Sequence, residues 1–360
     1  MAIEPDEIIR ADDFINEGER DMVPANDAGR VVKLESNGTI HEAFLRGGFG
    51  DGSDGDVAIS TPTTLTRDMY YDNLVVDSTL TTDGYRIFVR NRISGSGTIK
   101  WGTPNAGGNG VTDGDGGTGG IGASPSGTGP LKNVGGANGG DGRSNAGSTG
   151  GVPGNSPDAD MNGDTATECL GNAAADGGRG GRGAPSGNGA NYQSGGQGGD
   201  ATEPYTPFGT IRALTAMMMD LTSSFSLAKL VPAPKAAGGG YGGDGTTSFA
   251  SGSGAGAGAS GGIIFIAARL WEGTFTIENR GGDGGDGSNS NGGSCGGGGG
   301  GAGGNGGINV FIYAYKTWTG SHDLAGGEGG APGTGGENDA EAGEDGTTGV
   351  AYEINLFHML

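Results

Sequence analysis

The side chains best able to do chemistry are few and far apart. The histidines are His41, His322 and His358, and the cysteines are Cys169 and Cys295. No histidine stands at metal-ligand spacing from a cysteine. Two thiols make no disulfide framework; they read as thiols of a chain made in a reducing compartment, with a single bridge between them left open. Gly281-Gly282-Asp283-Gly284-Gly285-Asp286 fits the first six positions of the calcium-binding nonapeptide. However, Ser288 stands where that repeat needs a large apolar residue, and no second copy follows in register. Asp113, Asp115, Asp283 and Asp286 could hold a cation loosely, so Ca2+ is the one cofactor left open; solvated turn residues are the simpler reading. No phosphate-loop string occurs, and GxGxxG matches arise by chance at this glycine content. Glycoside cleavage needs only two carboxylates, and among 42 acidic residues the sequence neither supplies nor excludes a pair. Aromatic residues amount to 6%, which argues against a sugar-degrading groove, although Tyr70, Tyr71, Trp101, Tyr192, Tyr205, Tyr241, Trp271, Tyr313 and Trp318 recur near one another in sequence. No nucleophile motif stands out. The expectation is a protein that is not an enzyme, with no catalytic, cofactor or metal residues.

The elements that would carry these residues fall into two compositional parts. Glycine supplies 87 of 360 residues, of which 11 lie before residue 101. The average protein holds roughly 7% glycine. No long Gly-X-Y frame exists, so collagen is excluded. The net charge of -22 repels phosphate backbones, which argues against a nucleic-acid partner. No apolar run reaches the roughly 20 residues that span a bilayer, so membrane insertion is not expected. The acidic start, MAIEPDEIIRADDFINEGERD, lacks the basic and apolar regions of a signal peptide.

Four regions follow from composition. Residues 1–46 read as a small attachment module, in which turn signals bracket the strand-like Val31-Val32-Lys33-Leu34 and Asn37-Gly38 suggests a hairpin return. Residues 47–104 are β-rich: DVAIS, MYYDNLVVD, YRIFVRNRI and GTIKW are runs of Val, Ile, Tyr, Phe and Thr, spaced as in stacked rungs or a meander. Residues 105–236 are glycine-rich, with an insert at 207–230. There Ile211, Leu214, Met218, Leu221 and Phe225 recur at helical spacing and predict a short helix over 209–221, buried against a β-layer or placed at a subunit interface where methionine packs well. Residues 237–360 return to apolar strands and glycine tracts. YRIFVRNRISGSGTIKW, GIIFIAARLWEGTFTIENR and INVFIYAYKTWTGSHDL share one plan, an apolar run, a turn and a second short strand, each followed by a glycine tract. The tracts place glycine at three-residue spacing, as in GGDGGDG and GGAGGNGG. Three residues per turn is the period of a polyproline II-type helix, and glycine on one face lets such helices bundle. The fold expected is therefore mainly β with polyglycine II-like helices, arranged as short strand-pair repeats in a solenoid or sandwich, plus one short α-helix.

The segment containing Asn26, Asp27, Gly29, Val31, Val32, Lys33, Leu34, Asn37, Gly38, Ile40, Phe44 and Leu45 resembles the stretch that opens the variable regions of bacteriophage tail-fibre and virion surface proteins. The alternation of apolar strand and glycine tract is similar to that of glycine-rich phage adhesins with polyglycine II bundles. The resemblance implies a structural protein of the virion surface (tail fibre, tail tip or capsid decoration) made in the host cytoplasm and contributing to host attachment. Its partners would be other virion proteins, a host cell-surface receptor and further copies of itself in a homotrimer, since thin glycine bundles bury little apolar area alone. A secreted bacterial adhesin or matrix protein and a polysaccharide-cleaving spike are the rival expectations.

Overall fold

The computed structural model describes residues 48–112, 118–142, 168–169, 230–231, 236–240, 251–291, 295–335 and 340–355. The chain divides into two units between Leu45 and Arg46, and the described residues all belong to the second. The described part is mainly β. Its strands are β1 (Gly55–Ile59), β2 (Thr63–Thr64), β3 (Met69–Val76), β4 (Thr79–Thr81), β5 (Ile87–Gly95), β6 (Thr98–Lys100), β7 (Glu168–Cys169), β8 (Leu230–Val231), β9 (Ile263–Trp271), β10 (Thr276–Glu278), β11 (Ile308–Lys316), β12 (His322–Asp323) and β13 (Val350–Asn355).

Among the described residues every strand pairing is parallel. One six-stranded sheet has the order β1-β3-β5-β9-β11-β13, and a five-stranded sheet has the order β12-β10-β6-β4-β2. The two strands of each sequence repeat do not pair with each other. The long apolar run enters the first sheet, the short Thr/Ile strand enters the second, and each pairs with its counterpart in the next repeat. Parallel pairing between repeats, rather than within them, excludes a meander among the described strands. The turn between the strands is tight: Gly95 has φ 123°, and a Cβ there would lie 2.1 Å from the Val76 carbonyl oxygen.

Parallel pairing lines up like residues in columns. Ile87, Ile266 and Phe311 stack in the first sheet, while Leu80, Ile99 and Ile277 stack in the second. Both columns belong to one buried cluster with Leu74, Val76 and Trp271. Alternate residues of β9 and β11, among them Phe265, Ala267, Val310 and Ile312, belong to a second buried cluster with Phe49 and Leu131. β9 and β11 are therefore buried on both faces over most of their length, which is why they read as largely apolar runs. Ion pairs repeat with the same step: Asp68 with Arg86 and Asp72 with Arg90 are both 18 residues apart, as are Met69 and Ile87.

The glycine segments form a hydrogen-bonded layer of their own. Residues 295–307 are all buried, and their bonds change partner with a three-residue period. The N–H groups of Gly298, Gly301 and Gly304 donate to Ser288, Gly285 and Gly282; those of Gly299 and Ala302 to Gly240 and Ala237; those of Gly300, Gly303 and Gly306 to Glu341, Glu344 and Thr347. The carbonyls of Gly299, Ala302 and Asn305 accept from Ala255, Gly258 and Gly261, and those of Gly298, Gly301 and Gly304 from Gly333, Gly330 and Gly327. Five neighbouring segments thus satisfy one buried glycine tract. Residues 251–259 alternate Ser or Ala with Gly in sequence, yet the segment 251–261 too bonds with a period of three: Ala255, Gly258 and Gly261 in one direction, Gly254, Ala257 and Ser260 in another.

Aspartate and asparagine supply the remaining acceptors. Asp283 Oδ1 accepts the Glu328 N–H at 2.9 Å, while the next residue, Gly284, donates to the Glu328 carbonyl at 2.8 Å. Asp286 with Gly287 grips Ala331, and Asn289 with Ser290 grips Thr334, by the same two bonds. These gripped pairs lie 45 residues apart. Between antiparallel neighbours the two bonds fall two residues apart: Asp345 accepts from Gly329 while Gly346 donates to Gly327. The side-chain oxygen stands in for a peptide carbonyl at the one triplet position where a side chain has room.

Two glycine substitutions separate close packing from mere glycine content. An alanine Cβ at Gly304 would lie 2.0 Å from the Ala259 carbonyl oxygen, whereas at Gly102 it would meet nothing within 4 Å. Gly304→Ala is expected to cost about 1–3 kcal/mol or more, and Gly102→Ala to be neutral or stabilising by roughly 0.4–1 kcal/mol. Denaturant midpoints of the two variants check this directly.

Candidate functional site

The two apolar columns end together, and they end in polar residues. Glu353 of β13 continues the Ile87–Ile266–Phe311 column, and His322 of β12 continues the Leu80–Ile99–Ile277 column. Across the mouth of the core they meet, with His322 Nε2 3.3 Å from Glu353 Oε1. The Lys316 ammonium pairs with the other Glu353 oxygen and lies 5.0 Å from the centre of the Trp318 ring. His322 stacks on Phe311, at 4.9 Å between ring centres, and meets the edge of Trp318 at 5.1 Å.

A chain of hydrogen bonds runs inward from this cluster. Asn309 Nδ2 lies 3.3 Å from His322 Nδ1, and Asn309 Oδ1 accepts from Asn279 Nδ2 at 3.0 Å. Asn279 is buried and also holds both backbone groups of Gly262 and the Ile308 carbonyl. A neutral imidazole with its proton on Nε2 satisfies both neighbours, accepting from Asn309 and donating to Glu353. The two Glu353 oxygens are taken by His322 and Lys316. Every polar group of the cluster is thus engaged by another.

Burial pushes the His322 pKa below its ordinary value, outweighing the Glu353 carboxylate that pulls it up; Lys316 adds to the lowering. For Glu353 burial acts upward, but the hydrogen bonds from Lys316 and His322 outweigh it, and the net shift is downward.

Comparison with protein-family models, with curated proteins and with solved structures finds no match. The site residues therefore stand on their own geometry.

Asp283 and Asp286, read from sequence as solvated turn residues or loose cation ligands, instead each accept a backbone N–H from the neighbouring tract. Among the described residues no group of three or more His, Cys, Asp or Glu is placed to hold a metal ion. Trp101 and Trp271, among the aromatics that recur in the sequence, are 1% exposed, and Trp318 is 8% exposed. All three indoles donate to backbone carbonyls of Leu131, Ile312 and Phe275 respectively. Cys295 is a buried thiol. The attachment motif from Asn26 to Leu45, the helix carrying Ile211 to Phe225, and His41, His358, Asp113 and Asp115 lie outside the described residues. No helix among the described residues is long and apolar enough to cross a membrane.

The His322–Glu353 pair escaped sequence reading because the two residues are far apart in the chain and unlike in type. Aligning the third repeat on the second would have found it: His322 falls where Ile277 stands, a polar residue at an apolar column position.

Both shifts make stability fall with falling pH. A neutral histidine favoured by the fold contributes fully above its unfolded value of about 6.5, and that contribution is lost as pH drops below it. Glu353 contributes above about 4.5 and its contribution is lost below that. Unfolding free energy of the wild type is expected to decline between pH 7 and 5, and His322→Gln to flatten that decline. An unchanged pH profile in the variant would assign the dependence to other groups.

Proposed function

We propose that this chain is a structural protein of a bacteriophage virion surface, a tail fibre, tail-tip or capsid decoration subunit that contributes to host attachment. In finer detail, the stacked parallel strands are a short β-solenoid and the glycine segments are polyglycine II helices bundled beside it. The observation that carries the reading is the fully buried tract 295–307, bonded to five neighbouring segments with a three-residue period. Such a body is filled by backbone and stiffened by cross-tract bonds, which suits a protein that holds shape and spacing. The saturated His322–Glu353–Lys316 cluster is consistent with it: those groups close the end of a core and hold one another. Docking on the particle is assigned to residues 1–46, whose likeness to phage fibre segments motivates the virion assignment, and self-association into a homotrimer supplies the apolar burial that thin glycine bundles lack.

Mass spectrometry of purified virions is expected to find the chain, and a version beginning at residue 47 is expected to fold but to be missing from particles. The isolated full-length protein is expected to sediment at three times its chain mass of 35.2 kDa. Particles that incorporate the shortened chain would remove the attachment role from residues 1–46. A protein absent from virions altogether would overturn the reading.

A further inference from the structure

Asparagine followed by glycine is the least durable dipeptide in a protein. The glycine nitrogen attacks the asparagine side-chain carbonyl carbon, a ring C–N bond forms, and ammonia leaves with the displaced amide nitrogen. Water then opens the succinimide to aspartate or isoaspartate. The reaction needs a free glycine N–H and a side chain able to swing over it. Within the described residues this dipeptide occurs in full at Asn109-Gly110, Asn138-Gly139 and Asn305-Gly306.

We infer that the glycine layer blocks this reaction at all three positions, and that they become modification sites when the layer opens. Each reactant is already gripped. Gly110 donates to the Asp286 carbonyl at 2.9 Å while Asn109 Oδ1 accepts the Asp286 N–H at 2.9 Å. Gly306 donates to the Thr347 carbonyl at 2.8 Å, and Asn305 Oδ1 accepts the Thr347 N–H at 2.9 Å. Gly139 donates to Gly120 at 2.8 Å, and Asn138 Oδ1 accepts from Gly122 at 2.7 Å. The same two-bond grip that joins the tracts holds the nucleophile and the electrophile of each dipeptide apart, so a neighbouring segment must leave before the ring can close.

The product would also matter differently by position. Asn109 and Asn138 are exposed, and aspartate already fills the equivalent role at Asp283, Asp286 and Asp345. Asn305 is 1% exposed and its Nδ2 has no partner among the described residues, so a carboxylate there would be an unpaired buried anion.

Incubation of the full-length protein at mildly alkaline pH, native and in denaturant, followed by peptide mass spectrometry, reads the conversion of each asparagine. Native rates at the three positions are expected to be at least about a hundredfold slower than denatured ones, an opening free energy of about 2.8 kcal/mol. Equal rates in the two states would overturn the inference, and so would equally slow conversion in denaturant, which would place the protection in local sequence. In parallel, N305D is expected to unfold at lower denaturant concentration, with N109D and N138D close to wild type. The reverse order would overturn the assignment of Asn305 as the intolerant position.

Discussion

The closeness of backbone to backbone in the glycine layer governs the rest of the molecule. At Gly256, Gly258, Gly301 and Gly304 a Cβ would fall 2.0–2.2 Å from a carbonyl oxygen of an adjacent segment, a distance no side chain can occupy. Removing the side chain is what lets each N–H reach across to another tract. It also removes the apolar area that normally stabilises a fold, and glycine loses the most backbone freedom on ordering. The layer therefore depends on complete hydrogen bonding and on what anchors its ends.

The parallel sheets provide that anchorage. Residues 251–261, 295–307 and 340–349 each lead into a strand whose register is fixed by apolar columns: Ile263 pairs with Ile308, and Ile308 with Val350. The step between repeats is then imposed on the tracts, so that Asp283 meets Glu328 and Asp286 meets Ala331 at the same 45-residue separation. Asn279 sits at the junction, binding the last residue before β9 and the first residue of β11. Strand register and tract register form one continuous geometry, and His322 with Glu353 close its apolar part in polar groups. Inward-facing charge at a sheet edge is a known means of discouraging further strand addition.

Much of this was legible in the chain. The three repeats were readable because burial on both sheet faces makes β9, β11 and the start of β5 largely apolar, and the triplet phase of GGDGGDG showed because every third position faces the same neighbour. Pairing between repeats was not legible, since a strand, a turn and a second strand in sequence fit hairpin and stack alike. The role of Asp283 and Asp286 was hidden for a related reason: an acidic residue between glycines looks solvated until the segment 45 residues on is placed beside it. The period-two string at residues 251–259 concealed a three-residue bonding pattern, because alanine and serine are small enough to ride in a layer that glycine sets.

Amide hydrogen exchange on residues 251–261 and 295–307 tests the central claim, that the glycine tracts are an ordered, bonded layer. Their N–H groups are expected to exchange as slowly as those of β9 and β11, through opening of the whole body. Exchange at the rate of an unstructured glycine chain, with β9 and β11 still protected, would contradict it and leave the strands as the sole ordered part.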